Sequence, residues 1–235
     1  MKKQYKVIGF DADDTLWINE TYFREIEADF AKLMAEYLPD EQAINRLFEI
    51  EIANLNLYGY GIKGFMLSMI ETAHKISNGK LKGVHLEKML TLGKEFLDKP
   101  VELLPNVEQV LQKLSANGYK LIVATKGDLL DQERKLMRSG LEKYFHHVEV
   151  MSDKKKANYN KLLAHLDIEA NEFLMIGNSL KSDIIPPLEL GCDAIHIPFH
   201  TTWIHEHVED LGGLSNKYTE LETITDLFTY LGISG

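Results

Sequence analysis

Hydrophobic positions change period along the chain, and those changes outline its organisation. The run at 5–10, YKVIGF, is short and apolar and reads as a buried strand. From residue 17 the period turns helical. Tyr22, Phe23, Ile26, Phe30, Leu33, Met34 and Tyr37 mark one amphipathic helix, Ile44, Leu47, Phe48 and Leu55 a second, and stretches near 64–76 and 86–97 two more. No strand of comparable strength interrupts them, so residues 17–97 are expected to form an all-helical insertion with its own small core. Pro100 and Pro105 punctuate the return.

Strands and helices then take turns. Val107, Val110, Leu111 and Leu114 repeat at helical spacing, 119–124 reads as a buried strand and 129–141 as a helix. A short strand at 147–151, a helix at 159–166, a strand at 173–176, a helix at 180–190 and a strand at 194–197 stopped by Pro198 continue the pattern. Parallel neighbours need crossover connections, so this alternation implies a parallel sheet covered on both faces. The expected fold class is α/β, with a core domain of residues 1–16 plus 98–235 and a second, all-helical domain of residues 17–97. The chain shows no internal repeat and no low-complexity tract.

Composition narrows the class. With 235 residues, 45% apolar and 26% charged, the chain can bury one full core and a smaller appendage. The start Met1-Lys2-Lys3-Gln4 leads into a run too short and polar-flanked for a secretory leader, and no apolar run approaches the roughly 20 residues that cross a bilayer. A soluble cytoplasmic protein is expected, and Asn19-Glu20-Thr21 then carries little weight as a glycosylation acceptor. Cys192, the single cysteine, lies in an apolar-leaning stretch and reads as a packed thiol. A net charge of −10 argues against nucleic-acid and membrane partners but leaves small anions open, given a locally positive pocket.

Candidate chemistry begins where the first strand ends. Asp11, Asp13 and Asp14 crowd into four positions; at about 4 Å and an effective dielectric near 20, each carboxylate pair costs roughly 4 kcal/mol. Such a cluster requires a cation or a chemical task. On an extended segment Asp11 and Asp13 face one side and Asp14 the other, and carboxyl ends of parallel strands form the ligand crevice of an open sheet. Polar groups fall at equivalent strand ends: Thr125-Lys126-Gly127-Asp128 offers a hydroxyl and glycine amides for an oxyanion, while Gly177-Asn178-Ser179-Leu-Lys-Ser-Asp183 offers hard oxygen ligands suited to Mg²⁺. Lys154, Lys155 and Lys156 stand between them.

Other signals have plainer readings. Gly59-Tyr-Gly61-Ile-Lys-Gly64 matches a dinucleotide fingerprint, yet it follows a helical run and reads as a hinge between helices. Tyr58, Tyr60, Lys63 and Phe65 beside it could touch a substrate's leaving group, although aromatics in small helical domains usually pack. His200, His205 and His207 with Trp203 match no common zinc spacing and read as a solvated loop.

Asp11-Ala-Asp13-Asp14-Thr15, Thr125, a lysine of the 154–156 run and Gly177-Asn178-Ser179-x-x-x-Asp183 together resemble the four ordered motifs of the haloacid dehalogenase superfamily. The resemblance spans the chain in outline. It implies a Rossmann-like three-layer core, a helical cap between the first and second motifs, and a covalent aspartyl intermediate. By it, Asp11 is the nucleophile and Asp13 the acid that protonates the leaving oxygen and then activates water. Thr125, with Lys126 and Gly127, binds the phosphoryl group, and a lysine balances charge. Lys154 is preferred to Lys155 because its distance to Gly177 and Tyr159 is closer to that in relatives with the Gly-Asn-Ser form.

Mg²⁺ is the implied cofactor, held by Asp11, Asp183 and the backbone carbonyl of Asp13, with Asn178 coordinating directly or through water where many relatives carry Asp. An alkoxide leaving group needs a proton and a halide does not, so Asp13 favours a phosphatase acting on a small phosphate ester over a 2-haloacid dehalogenase. A phosphomutase, and a non-catalytic phosphate- or metal-binding or signalling module that keeps the motifs, are the alternatives.

Overall fold

The computed structural model describes residues 5–208, 213 and 217–233; the polar start Met1-Lys2-Lys3-Gln4 lies outside them. The chain runs β1 (Val7–Phe10), α1 (Glu20–Met34), α2 (Asp40–Tyr58), α3 (Ile62–Ile76), α4 (Gly83–Asp98), α5 (Val107–Ala116), β2 (Lys120–Lys126), α6 (Leu129–Ser139), β3 (His147–Met151), α7 (Lys156–Leu166), β4 (Phe173–Gly177), α8 (Ile185–Leu188), β5 (Asp193–His196), β6 (Thr219–Glu220) and α9 (Leu227–Leu231). The six strands form one parallel sheet in the order β3-β2-β1-β4-β5-β6. The expected α/β class with a covered parallel sheet is what the chain adopts.

Side-chain alternation on the strands divides the core in two. Ile8 and Phe10 of β1 pack with Val107, Leu111, Leu114 and Leu136 on one face, whereas Val7 packs with Ile122, Tyr159, Leu162 and Phe173 on the other. Cys192 is buried in the second cluster as a free thiol, as its setting predicts. The first strand lies between β2 and β4, where the winding reverses, so its carboxyl end opens at a topological switch point. Register sets the level of the site: Phe10 pairs with both Val123 and Ile176. Asp11, Thr125 and Gly177 therefore follow at the same end of three adjacent strands.

By contacts the chain divides into two compact units. The first comprises Met1–Ile18, Val101–Lys126 and Glu133–Gly235, and the second Asn19–Pro100 with Gly127–Gln132. Within the first, the two strands of chain at its border brace each other: Ile18 N–H donates to the Glu102 carbonyl (3.0 Å) and Leu104 N–H to that of Leu16 (2.9 Å). The second unit packs its helices around Phe30, Met34, Leu47, Met69 and Met89. Gly59 and Gly61, with φ of +74° and +97°, make the turn from α2 into α3, and a Cβ on Gly64 would sit 2.7 Å from the Gly59 carbonyl. The glycine triplet is thus a helix-to-helix turn. Phe65 is core, and Lys63 pairs with Asp128 within the same unit (2.7 Å).

The helical unit also buries acid. Arg24 pairs with Glu20 and Glu27, but Glu51 Oε2 is buried without a hydrogen-bond partner. Burial, with Glu27 and Glu20 adding repulsion, pushes the Glu51 carboxyl up to about 8. The folded chain binds that proton more tightly than the unfolded one, so stability falls as pH rises from about 4.5 and the loss is complete near 8, reaching up to about 3 kcal/mol at pH 7. Glu51→Gln is expected to raise the thermal midpoint at pH 8 and leave it nearly unchanged at pH 4.5. Equal shifts at both pH values would show that the charge is not the cause.

Candidate active site

Asp11 extends the ladder one residue past β1, its N–H donating to the Ile176 carbonyl (2.8 Å). The residue is 7% exposed; Oδ1 of its carboxylate accepts from Lys154 Nζ, and Oδ2 lies 3.3 Å from the Thr15 hydroxyl, which donates to it. The chain then turns sharply. Asp14 has φ of +63° and donates its N–H to the Trp17 carbonyl (2.7 Å). The extended reading therefore stops before Asp14, which is buried and shapes the turn. Asp13 Oδ1 accepts from Trp17 Nε1 (2.8 Å) and Lys135 Nζ (2.9 Å).

Of the lysine run, Lys154 alone reaches inward. It is 3% exposed and joins Asp11 to Asp183, whose Oδ1 is 2.7 Å away. Lys155 lies on the surface, pairs with Asp153 (2.8 Å) and precedes α7, which begins at Lys156. The Asp183 carboxylate, 1% exposed, also accepts from Ser179 N–H (3.0 Å). A π-helical turn, Leu180–Ile184, brings it there. A Cβ on Gly177 would overlap the Asp183 carboxylate, so only glycine leaves it room.

Sequence periodicity expects one helix over 180–190; instead the π turn gives way to the short α8, with prolines at its second and third positions. Pro186 and Pro187 lack the N–H groups an unbroken helix would need, so regular helix restarts at its own first turn.

The electrostatics are unbalanced. Burial pushes Asp11 up to about 7; Asp183 and Asp13 push the same way, and Lys154 opposes them. Lys154 is held above its ordinary range by Asp11 and Asp183 despite its own burial. One buried ammonium faces two buried carboxylates. One end of the Asn178 amide lies 3.2 Å from Asp11 Oδ2, 3.2 Å from the Thr15 hydroxyl and 3.3 Å from the Asp13 carbonyl. When the nitrogen occupies that end it can donate to these oxygens; when the oxygen does, it accepts from the Thr15 hydroxyl (3.2 Å) and faces the Asp11 carboxylate and the Asp13 carbonyl, two acceptors whose repulsion a cation would relieve. The Asp11 and Asp183 carboxylates, the Asp13 carbonyl and the Asn178 amide form an all-oxygen donor set of the kind hard divalent cations take, so the residues fit one.

Thr125 is buried at the end of β2, its hydroxyl donating to the Lys126 carbonyl (3.3 Å). Lys126 Nζ pairs with Glu206 and contacts the Ser182 hydroxyl (3.0 Å). Gly127 has φ of +143° and groups with the second unit. Glu206 was not legible. It comes from the segment expected to be a solvated loop, yet it is buried and accepts from the hydroxyls of Ser179 and Ser182. Burial alone would raise its pKa, but Lys126 and the two hydroxyls outweigh that and hold it at about 2. Trp17 and Lys135, which hold Asp13, were also missed. The four-residue spacing of Trp17 from Asp13 could have suggested the first, while Lys135 carries no signal apart from the fold.

A family model described as haloacid dehalogenase-like hydrolase matches residues 5–191. A haloacid dehalogenase-like family hydrolase from Xanthomonas campestris shares 35% identity, with 94% of this chain and 88% of that one covered and a TM-score of 0.83. Two curated relatives, both called glyceraldehyde 3-phosphate phosphatase, come from Pyrococcus abyssi (28% identical, 81% of this chain and 80% of the relative) and Methanocaldococcus jannaschii (26%, 82% and 84%). The chain belongs to the haloacid dehalogenase-like hydrolase family. Among the described residues no helix is long and apolar enough to cross a membrane.

Proposed function

We propose that this hydrolase is a phosphatase that cleaves small phosphate monoesters through an aspartyl-phosphate on Asp11. The observation that carries the reading is the meeting of Asp11, Lys154 and Asp183 at one buried point, with Asp13 two residues beyond the nucleophile. Residues 1–16 with 98–235 serve as the catalytic core and 17–97 as the cap.

Asp11 attacks phosphorus with its carboxylate, which Lys154 orients through Oδ1 and Thr15 through Oδ2. Asp13 gives its proton to the leaving oxygen and then takes one from the water that cleaves the phosphoenzyme. Trp17 and Lys135 fix the direction of that side chain. Thr125, with the chain at Lys126 and Gly127, takes a phosphoryl oxygen, and Lys154 balances the charge that gathers on the group. A divalent cation held by Asp11, Asp183, Asn178 and the Asp13 carbonyl, Mg²⁺ by the hardness of those oxygens, supplies further neutralisation of the phosphoryl oxygens. The names of the curated relatives make a three-carbon sugar phosphate the first substrate to try. A cytoplasmic setting agrees with the buried free thiol of Cys192.

The test is phosphate release from p-nitrophenyl phosphate and from a panel of phosphorylated metabolites that includes glyceraldehyde 3-phosphate. Turnover with Mg²⁺ that chelator abolishes is expected. No release from any ester in the panel would overturn the proposal.

A further inference from the structure

We infer a second metal site, for a borderline transition ion such as Zn²⁺, built by His147, Glu149 and His165 on the edge of the sheet. His147 and Glu149 stand two apart on β3, which among the described residues pairs with β2 alone, so their side chains share a face. His165 comes from the last turn of α7. Both imidazoles converge on one oxygen: His147 Nε2 is 3.0 Å and His165 Nδ1 3.5 Å from Glu149 Oε2, and the three ligand atoms all lie within 4.8 Å of one another. Zinc bonds of roughly 2.0–2.2 Å in a tetrahedron put neighbouring ligand atoms about 3.4 Å apart. Two edges of the triangle are already close to that value, and a small side-chain rotation on the exposed His165 brings in the third.

The donor set differs in kind from the oxygen cluster around Asp11. Two imidazole nitrogens and one carboxylate suit Zn²⁺, Co²⁺ or Ni²⁺ and offer Mg²⁺ little. Three protein ligands leave a fourth position for water. His165 keeps 64% of its side-chain exposure, so an ion can enter from solution. The ligands come from two elements that flank the segment carrying Lys154, with β3 ending at Met151 and α7 beginning at Lys156. A bound ion therefore staples the two ends of this strand-helix unit, and because the unfolded chain lacks the arrangement, binding favours the folded state. The inference stands apart from the reaction proposed above.

The experiment is Co²⁺ titration of the full chain in saturating Mg²⁺, followed by the visible absorption that low-coordinate Co²⁺ gives and by its displacement with Zn²⁺. One equivalent is expected in the wild type and in Asp183→Asn. In His147→Ala and His165→Ala, affinity should fall by more than the roughly 10- to 100-fold that loss of an outer-shell partner costs. Zn²⁺ should raise the melting temperature of the wild type and not of the histidine variants; His165 is exposed and His147 half-buried, so His165→Ala gives the cleaner comparison. Absence of the band in the wild type, or a band lost in Asp183→Asn and kept in the histidine variants, would overturn the inference.

Discussion

Replacing Asp11 with Asn is expected to lower phosphate-ester turnover roughly 10⁴- to 10⁶-fold, the scale seen when an enzyme loses its nucleophile. The amide keeps the shape of the side chain and still accepts from Thr15, so the loss isolates the attacking oxygen. Stability should move the other way or not at all. The folded protein holds Asp11 up at about 7, against an ordinary 3.8, because burial disfavours its charge. Between those values ionisation in the folded state costs free energy that Asn removes. Lys154 keeps Asp183 as its partner. An inactive Asp11→Asn that melts at or above the wild-type temperature in metal-free buffer at pH 7 is the expected pair of results; retained turnover would remove Asp11 from the mechanism.

The second large effect separates two neighbouring lysines. Lys154→Ala leaves Asp11 and Asp183 buried without their shared counter-charge. Breaking a buried pair in this way costs about 3–5 kcal/mol. Loss of one preorganised donor from a charge-stabilising site adds about a 10²- to 10³-fold fall in kcat. Lys155 is 76% exposed and touches Asp153 on the surface, so Lys155→Ala should stay within about 0.5 kcal/mol of wild type and leave kcat essentially as it was. Parallel urea titrations and kinetics on the two variants give the comparison. Equal, slight effects would show that neither amine serves the site.

What could be read in advance follows from the range of the forces involved. Alternating strands and helices are local patterns, and so β1 to β5 and the four helices of the insertion fall where periodicity places them, with ends shifted by a few residues. The two residues of β6 and the five of α9 are too short to show a period. Asp11, Asp183 and Lys154 could be named because motif order and strand ends place them on one rim. The Lys126–Glu206 pair could not. It joins positions 80 apart through a segment whose histidines and polar residues suggest solvent, and only the fold reveals that Ser179 and Ser182 bury the acid. The positive φ of Asp14 ends the extended run before that residue, a turn that strand periodicity does not show.

In the proposed reaction Asp11 itself carries the phosphoryl group. The direct measurement is borohydride trapping during turnover, most usefully in Asp13→Asn with p-nitrophenyl phosphate, whose leaving group needs no proton, so that loss of the water-activating base should let the phosphoenzyme accumulate, followed by peptide mass spectrometry. Reduction of the acyl phosphate confined to residue 11, and absent without substrate, is the predicted result. Turnover with no trapped species in any variant, or a label on another carboxylate such as Asp13 or Asp183, would contradict the account.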